Sequence, residues 1–139
     1  MLISSDTEFG KRVNNRLQKE TIIWLTTVDI NGFPQTRPVW FHWDDETILV
    51  YSRPDTAKIR HISRNPGVSL NFDGNGIGGD IIVIPGRAQV IEDGISAKNH
   101  LPYSTKYNEG FKQIGMTAAQ FSETYSEAIR IIPIRVRGH

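Results

Sequence analysis

The chain contains no cysteine, so disulfides, thiolate nucleophiles and cysteine-based metal sites are excluded. It lacks an excess of charge: 16 Lys and Arg stand against 15 Asp and Glu, a net +1. No bulk field therefore draws it to nucleic acid or to an acidic membrane. No apolar run approaches the roughly 18 residues of a membrane-spanning helix. The stretch from Met1 to Glu20 is polar, which argues against a cleaved signal, and a cytoplasmic location is the expectation. The four histidines (His42, His61, His100, His139) show no ligand spacing with one another or with paired carboxylates, so no metal is expected. Repeats, low-complexity tracts, linkers and Ser-His-Asp sets are also missing.

What remains is an ordinary globular composition, 38% hydrophobic and 22% charged, in 139 residues. One domain, residues 1–139, is expected. It is large enough to bury roughly two-thirds of its unfolded surface.

Phe9, Val13 and Leu17 recur every four residues, predicting a helix from Asp6 to Gln18 with Asp6 or Thr7 as its cap. The period then shortens. Thr21–Val28, Gln35–Trp43 and Thr47–Ser52 are rich in β-branched and aromatic residues. Asn31-Gly32, a pair suited to left-handed positions in a tight hairpin, and Asp44-Asp45-Glu46 join them into an antiparallel meander. A helix over Asp55–Arg64 stops at Asn65-Pro66-Gly67, and Val68–Phe72 makes a fourth strand. Asp80–Glu92 reads as a long fifth strand bent at Pro85-Gly86, a bulge or an edge. Ser96–Tyr125 is helical but poorly defined around Pro102 and between Gly110 and Gly115, with Thr117 as a cap, and Ala128–Val136 is a sixth strand. Six strands, mostly hairpin-connected, with helices at the N-terminus, after strand three and before strand six, suggest a small closed barrel, because closure removes exposed edges.

The candidate chemistry lies where the third strand enters the second helix. At Asp55-Thr56-Ala57-Lys58, free backbone N–H groups, a hydroxyl and an ammonium converge, a combination suited to phosphate. On Gln35–Trp43 the odd positions share a face, which would set Arg37 among apolar residues and demand an anionic partner. The competing reading makes Arg37 a strand-end surface residue and Lys58 a solvated helix charge. Gly74–Gly79 lacks Gly-Lys-Ser/Thr and opens onto a strand, so it reads as a mobile hairpin loop, not a nucleotide loop.

Thr21–Phe72 resembles the core of the pyridoxamine 5′-phosphate oxidase-like family, the flavin-binding split barrels. The shared pattern is a hydrophobic strand, Asn-Gly, Arg37-Pro38-Val39-Trp40-Phe41, an acidic turn, a strand ending Tyr51-Ser52, the Thr56-x-Lys58 helix start and Arg64-Asn65-Pro66. The resemblance implies a mainly β (α+β) fold, a six-stranded antiparallel split β-barrel with flanking helices. It also implies FMN, or the deazaflavin coenzyme F420, in a groove between the two subunits of a homodimer. Carried over by position, Arg37, Pro38, Val39 and Trp40 would run beside the ring and ribityl phosphate. Tyr51 and Ser52 would contact the ribityl chain or ring edge, and Thr56 and Lys58 would hold the phosphate.

The departures bear on the substrate. The oxidase proper has an Arg after the capping residue and a second cation ending the RPVWF-like strand, where this chain has Ala57 and His42. The position of a flavin-contacting Gln is Ile81, and the substrate-gripping C-terminal segment has no counterpart in Ala128–His139. Vitamin B6 oxidation is therefore not expected, and the short chain is more similar to the branch predicted to use F420. The expected activity is a flavin- or deazaflavin-dependent oxidoreductase acting on a small molecule, with no protein acid or base assigned. His42 is the one titratable group within possible reach of the ring. The alternative is a non-enzymatic flavin or planar-ligand carrier of the same fold. An oligonucleotide-binding barrel is disfavoured by the low charge and the lack of a basic-aromatic stripe.

Overall fold

A computed structural model describes residues 3–139. Its element order is α1 (Glu8–Lys19), β1 (Ile23–Val28), β2 (Pro34–Val39), β3 (His42–Trp43), β4 (Ile48–Ser52), α2 (Ala57–Arg64), β5 (Gly67–Asn71) and β6 (Ile82–Ile91). A 3₁₀ turn, then α3 (Leu101–Lys106), α4 (Asn108–Gln113), α5 (Ala118–Thr124), β7 (Glu127–Pro133) and β8 (Arg137–Gly138) complete it. The strands form one antiparallel sheet in the order β2-β1-β5-β6-β7-β4-β3, with β8 added on β6. Its two end strands, β2 and β3, are consecutive in the chain, so the curled sheet closes through Trp40 and Phe41 into a split barrel. Eight strand segments stand where six were expected, because the second strand divides at Trp40-Phe41 and the tail adds β8.

Three local expectations are corrected. The β1–β2 connection is a five-residue loop in which only Gly32 is left-handed (φ 83°). Asp29 shapes it, its Oδ1 accepting from Asn31 N and Phe33 N at 2.9 and 3.0 Å. Next, β6 runs unbroken through Pro85-Gly86 between β5 and β7, so that pair is neither bulge nor edge. Ile132 O lies 2.9 Å from where a Cβ on Gly86 would sit, and the close approach of β7 explains the glycine. Third, the apolar face of the second strand holds for Val39, Phe41 and Trp43 but not for Arg37, which is exposed. β2 is exposed from Pro34 to Pro38, so alternation there no longer reports burial.

The barrel interior is packed by Ile23 and Leu25 of β1, Ile48 and Val50 of β4, Leu70, Ile84 and Ile131, with Val13 and Leu17 of α1 laid onto it. Thr7 caps α1, accepting from Gly10 N at 2.9 Å. A second cluster lies outside, where Leu49 and Tyr51 of β4 meet Tyr103, Tyr107, Phe111 and Phe121 of α3–α5. Every residue of β4 is buried because the strand is covered on both faces, the condition under which a strand reads as a continuous apolar run. Thr117 and Gln120 form a capping box that starts α5. No helix among the described residues is long and apolar enough to cross a membrane.

Candidate functional site

Two cavities meet at Pro38 and Lys58. The polar one, about 350 Å³, lies between β1–β2 and the start of α2, with Thr27, Gln35, Arg37, Thr56, Lys58 and His61 on its walls. The aromatic one, about 270 Å³, is walled by Trp40, Tyr51, Tyr103, Phe121 and Tyr125, with Val39 and Ile114 completing it.

The polar cavity is electropositive for three separate reasons. Lys58 is half-buried, and its pKa is held below the ordinary 10.5, first by burial and then by the charge of Arg37. Neither cation meets a carboxylate among the described residues. Thr56 is the N-cap of α2 but makes no side-chain cap bond. Its hydroxyl pairs instead with Ser52 Oγ at 3.0 Å, leaving the first-turn N–H groups of α2 uncapped at the positive end of the helix dipole. Buried His61 fixes the far wall through a 2.7 Å hydrogen bond between its Nδ1 and Thr27 Oγ1. Two cations and free amides on one rigid frame suit a multiply charged oxyanion.

The aromatic cavity is rigid by stacking. The Trp40 indole lies parallel to Tyr107 at 4.6 Å and to Phe121 at 5.5 Å, and Phe121 stacks on Tyr125 at 4.4 Å. Gly110 lets α4 approach the indole: a Cβ there would sit 2.9 Å from Trp40 Cη2. Tyr51 presents its ring, since its hydroxyl donates to Ile95 O at 2.6 Å and burial pushes its pKa up to about 12.

Seven of the eight residues expected from the sequence (Arg37, Pro38, Val39, Trp40, Tyr51, Thr56 and Lys58) line one or both cavities. Ser52 lines neither. It is buried, its hydroxyl donating to Arg53 O at 2.9 Å, and it braces Thr56 from below. Arg53 does not line either cavity, and its guanidinium lies 5.3 Å over the Tyr125 ring. His42 also sits outside them, edge-on to His100 at 4.9 Å, with its pKa lowered by burial and then by His100 and Lys106. The loop Gly74–Gly79, folded around Asn75 Oδ1, which accepts from Ile77 N and Gly79 N, borders neither cavity.

Sequence reasoning missed the contribution of α3–α5. Tyr103, Tyr107 and Phe111 are spaced by four residues, a helical signal interrupted only by the neighbouring Pro102 and Gly110.

Residues 9–138 match the model of the pyridoxamine 5′-phosphate oxidase family. Among curated proteins, the pyridoxine/pyridoxamine 5′-phosphate oxidase of Citrobacter koseri is 34% identical over 64 residues, 45% of this chain and 29% of that protein. The match thus spans less than a third of that relative's length. Among solved structures, a FAD-binding protein from Mesorhizobium loti superposes with a TM-score of 0.65 at 22% identity, covering 88% of each chain. An F420 reductase superposes with a TM-score of 0.66 at 20% identity, covering 89% of this chain and 94% of its own. The structural likenesses carry the split-barrel fold, and the family match extends over nearly the whole sequence. This chain belongs to the pyridoxamine 5′-phosphate oxidase family.

Proposed function

We propose that the chain is an oxidoreductase that binds a phosphorylated flavin, FMN or in its place the deazaflavin F420, and acts on a small molecule as a homodimer. The observation that carries this reading is the convergence of Arg37, Lys58 and the uncapped start of α2, with no carboxylate among the described residues paired to either cation. The donor set fits a phosphate monoester: two cations for its charge and backbone amides for its remaining oxygens. Lys58, Arg37 and Thr56 would hold the phosphate. Pro38, shared by both cavities, with Val39, Trp40 and the Tyr51 ring would bound the tricycle, and Ser52 holds Thr56 in place. The bound cofactor supplies the hydride chemistry. The chain orients it and excludes water, and no residue beside the cavities is placed as an acid or base.

The exposed β2 supports a second copy as the missing wall. Ile30 and Phe33 in the adjoining loop are 71% and 67% exposed, and an interface through this strand would cover them. Ala57 and His42, in place of two cations of the pyridoxamine phosphate oxidases, argue against vitamin B6 as the substrate.

Titration of the apo protein with FMN and with F420, followed by cofactor and tryptophan fluorescence, tests the proposal. Saturable binding of one of them at one per subunit, and reoxidation of its bound reduced form by an added acceptor, is the expected result. Binding without turnover would make the chain a carrier, and no binding of either would overturn the reading.

A further inference from the structure

His61 is only 6% exposed, yet one of its two ring nitrogens is engaged and the other is not. Nδ1 pairs with Thr27 Oγ1 at 2.7 Å, and that hydroxyl is buried with no other partner among the described residues. Were Nδ1 the donor, the hydroxyl proton would be stranded in the interior, so Thr27 donates and Nδ1 accepts. The bond made by one ring nitrogen fixes the proton on the other, which places it on Nε2. Nε2 meets no protein partner among the described residues, and it is not one of the unpaired polar atoms sealed from solvent. Of the two cavities, His61 borders the polar one alone, so its open N–H is reached from there.

The position suits an anion. Lys58 and His61 stand three residues apart on α2 and share one face of the helix, the face turned to Arg37 and Thr27 across the cavity. No carboxylate lines that cavity. A donor held there without an acceptor keeps its desolvation cost, which an oxyanion opposite it would offset. We infer that His61 is a third side-chain ligand of the bound phosphate, donating from Nε2 to an oxygen beside those held by Arg37 and Lys58, with Thr27 as the residue that sets its tautomer. The inference rests on the flavin-phosphate reading above and extends it by a neutral donor behind the two cations.

Long-range proton–nitrogen correlation spectra of the imidazoles at pH 7.5 read the tautomer directly, with His61→Gln identifying the His61 signals. Wild-type His61 is expected to carry its proton on Nε2, and saturating FMN to shift that nitrogen more than Nδ1. Calorimetric titration with parallel thermal melts supplies the affinities. His61→Asn removes the donor from the Nε2 position and is expected to bind FMN about tenfold more weakly than wild type. His61→Gln, whose amide reaches the same point, should recover most of that loss. A proton on Nδ1 alone, an Nε2 signal unmoved by bound FMN, or equal FMN affinity in wild type and His61→Asn would overturn the inference. If His61→Asn melts well below wild type, the wild-type spectra decide. If FMN fails to bind while inorganic phosphate moves the Nε2 signal, the cofactor reading falls and the phosphate ligand stands. If neither moves it, both fall.

Discussion

The Tyr107 hydroxyl spans the break in the barrel's bent strand, accepting from Phe41 N at 2.8 Å and lying 2.7 Å from Thr21 O, to which it can donate. Phe41 O is taken up in turn by Lys106 Nζ at 2.8 Å. The backbone groups freed where β2 ends and β3 begins are thus satisfied by α3 and the residue after it. Tyr107→Phe leaves the buried Phe41 N–H unpaired and is expected to cost about 1–3 kcal/mol. Urea denaturation measures this, and an unchanged midpoint would show that the break is held by packing alone.

Lys58→Ala is expected to weaken FMN binding by about 1.5–3 kcal/mol, roughly tenfold or more. Folding should not suffer, because the change removes a half-buried charge already opposed by Arg37. Arg37→Ala should weaken binding in the same direction. Calorimetric titration with parallel thermal melts separates the two quantities, and an Arg37→Ala protein that loses stability while keeping its affinity would make that residue structural.

Gly110→Ala sets a methyl against the Trp40 ring, 2.9 Å from Cη2 and 3.2 Å from Cζ2, while the indole is fixed by Tyr107 and Phe121. Overpacking of this kind costs about 1–3 kcal/mol, and the gain in helix propensity returns about 1. A net loss of about 1 kcal/mol is expected, with a shift in tryptophan emission as the indole moves. A more stable variant would show that the cluster yields.

Burial lowers the Lys106 pKa from 10.5 to about 8. Between these values the unfolded chain binds a proton that the folded one does not, so stability rises with pH across the window. The contribution is complete above about 10.5 and is lost as pH falls through about 8. Above pH 10 the buried tyrosines act in the opposite sense, since Tyr51, Tyr103 and Tyr107 all have raised pKa values. Between pH 7.5 and 9.5 the wild type is therefore expected to gain stability relative to Lys106→Met. Parallel pH profiles in urea check this, and parallel curves for the two proteins would count against it.

The succession of strands along the chain was legible because alternation and turn residues agree from Thr21 to Phe72, and Thr117 announces α5. Their order in the sheet was not, since β5 returns to pair with β1 and β4 pairs with β7, contacts that no local signal specifies. The division of the second strand was not legible. No glycine or proline marks Trp40-Phe41, and the groups that stabilise the break come from 65 and 66 residues away. The position of Arg37 was misjudged for a related reason: a period of two tells which residues share a face, not where the barrel stops covering that face. Lys58 and Thr56 could be paired from spacing alone, since a cap and the first helical turn are local. The aromatic wall could not, because it needs α3, α4 and α5 folded back onto β4, a tertiary arrangement with no short-range signature.

Because β4 lends Ile48 and Val50 to one core and Leu49 and Tyr51 to the other, the helical cap and the barrel share a single wall. Neither can open without exposing apolar surface of the other, so the two should melt in one cooperative step. A ring seated among the helices would then slow amide exchange in β4 and in its ladder partner β7.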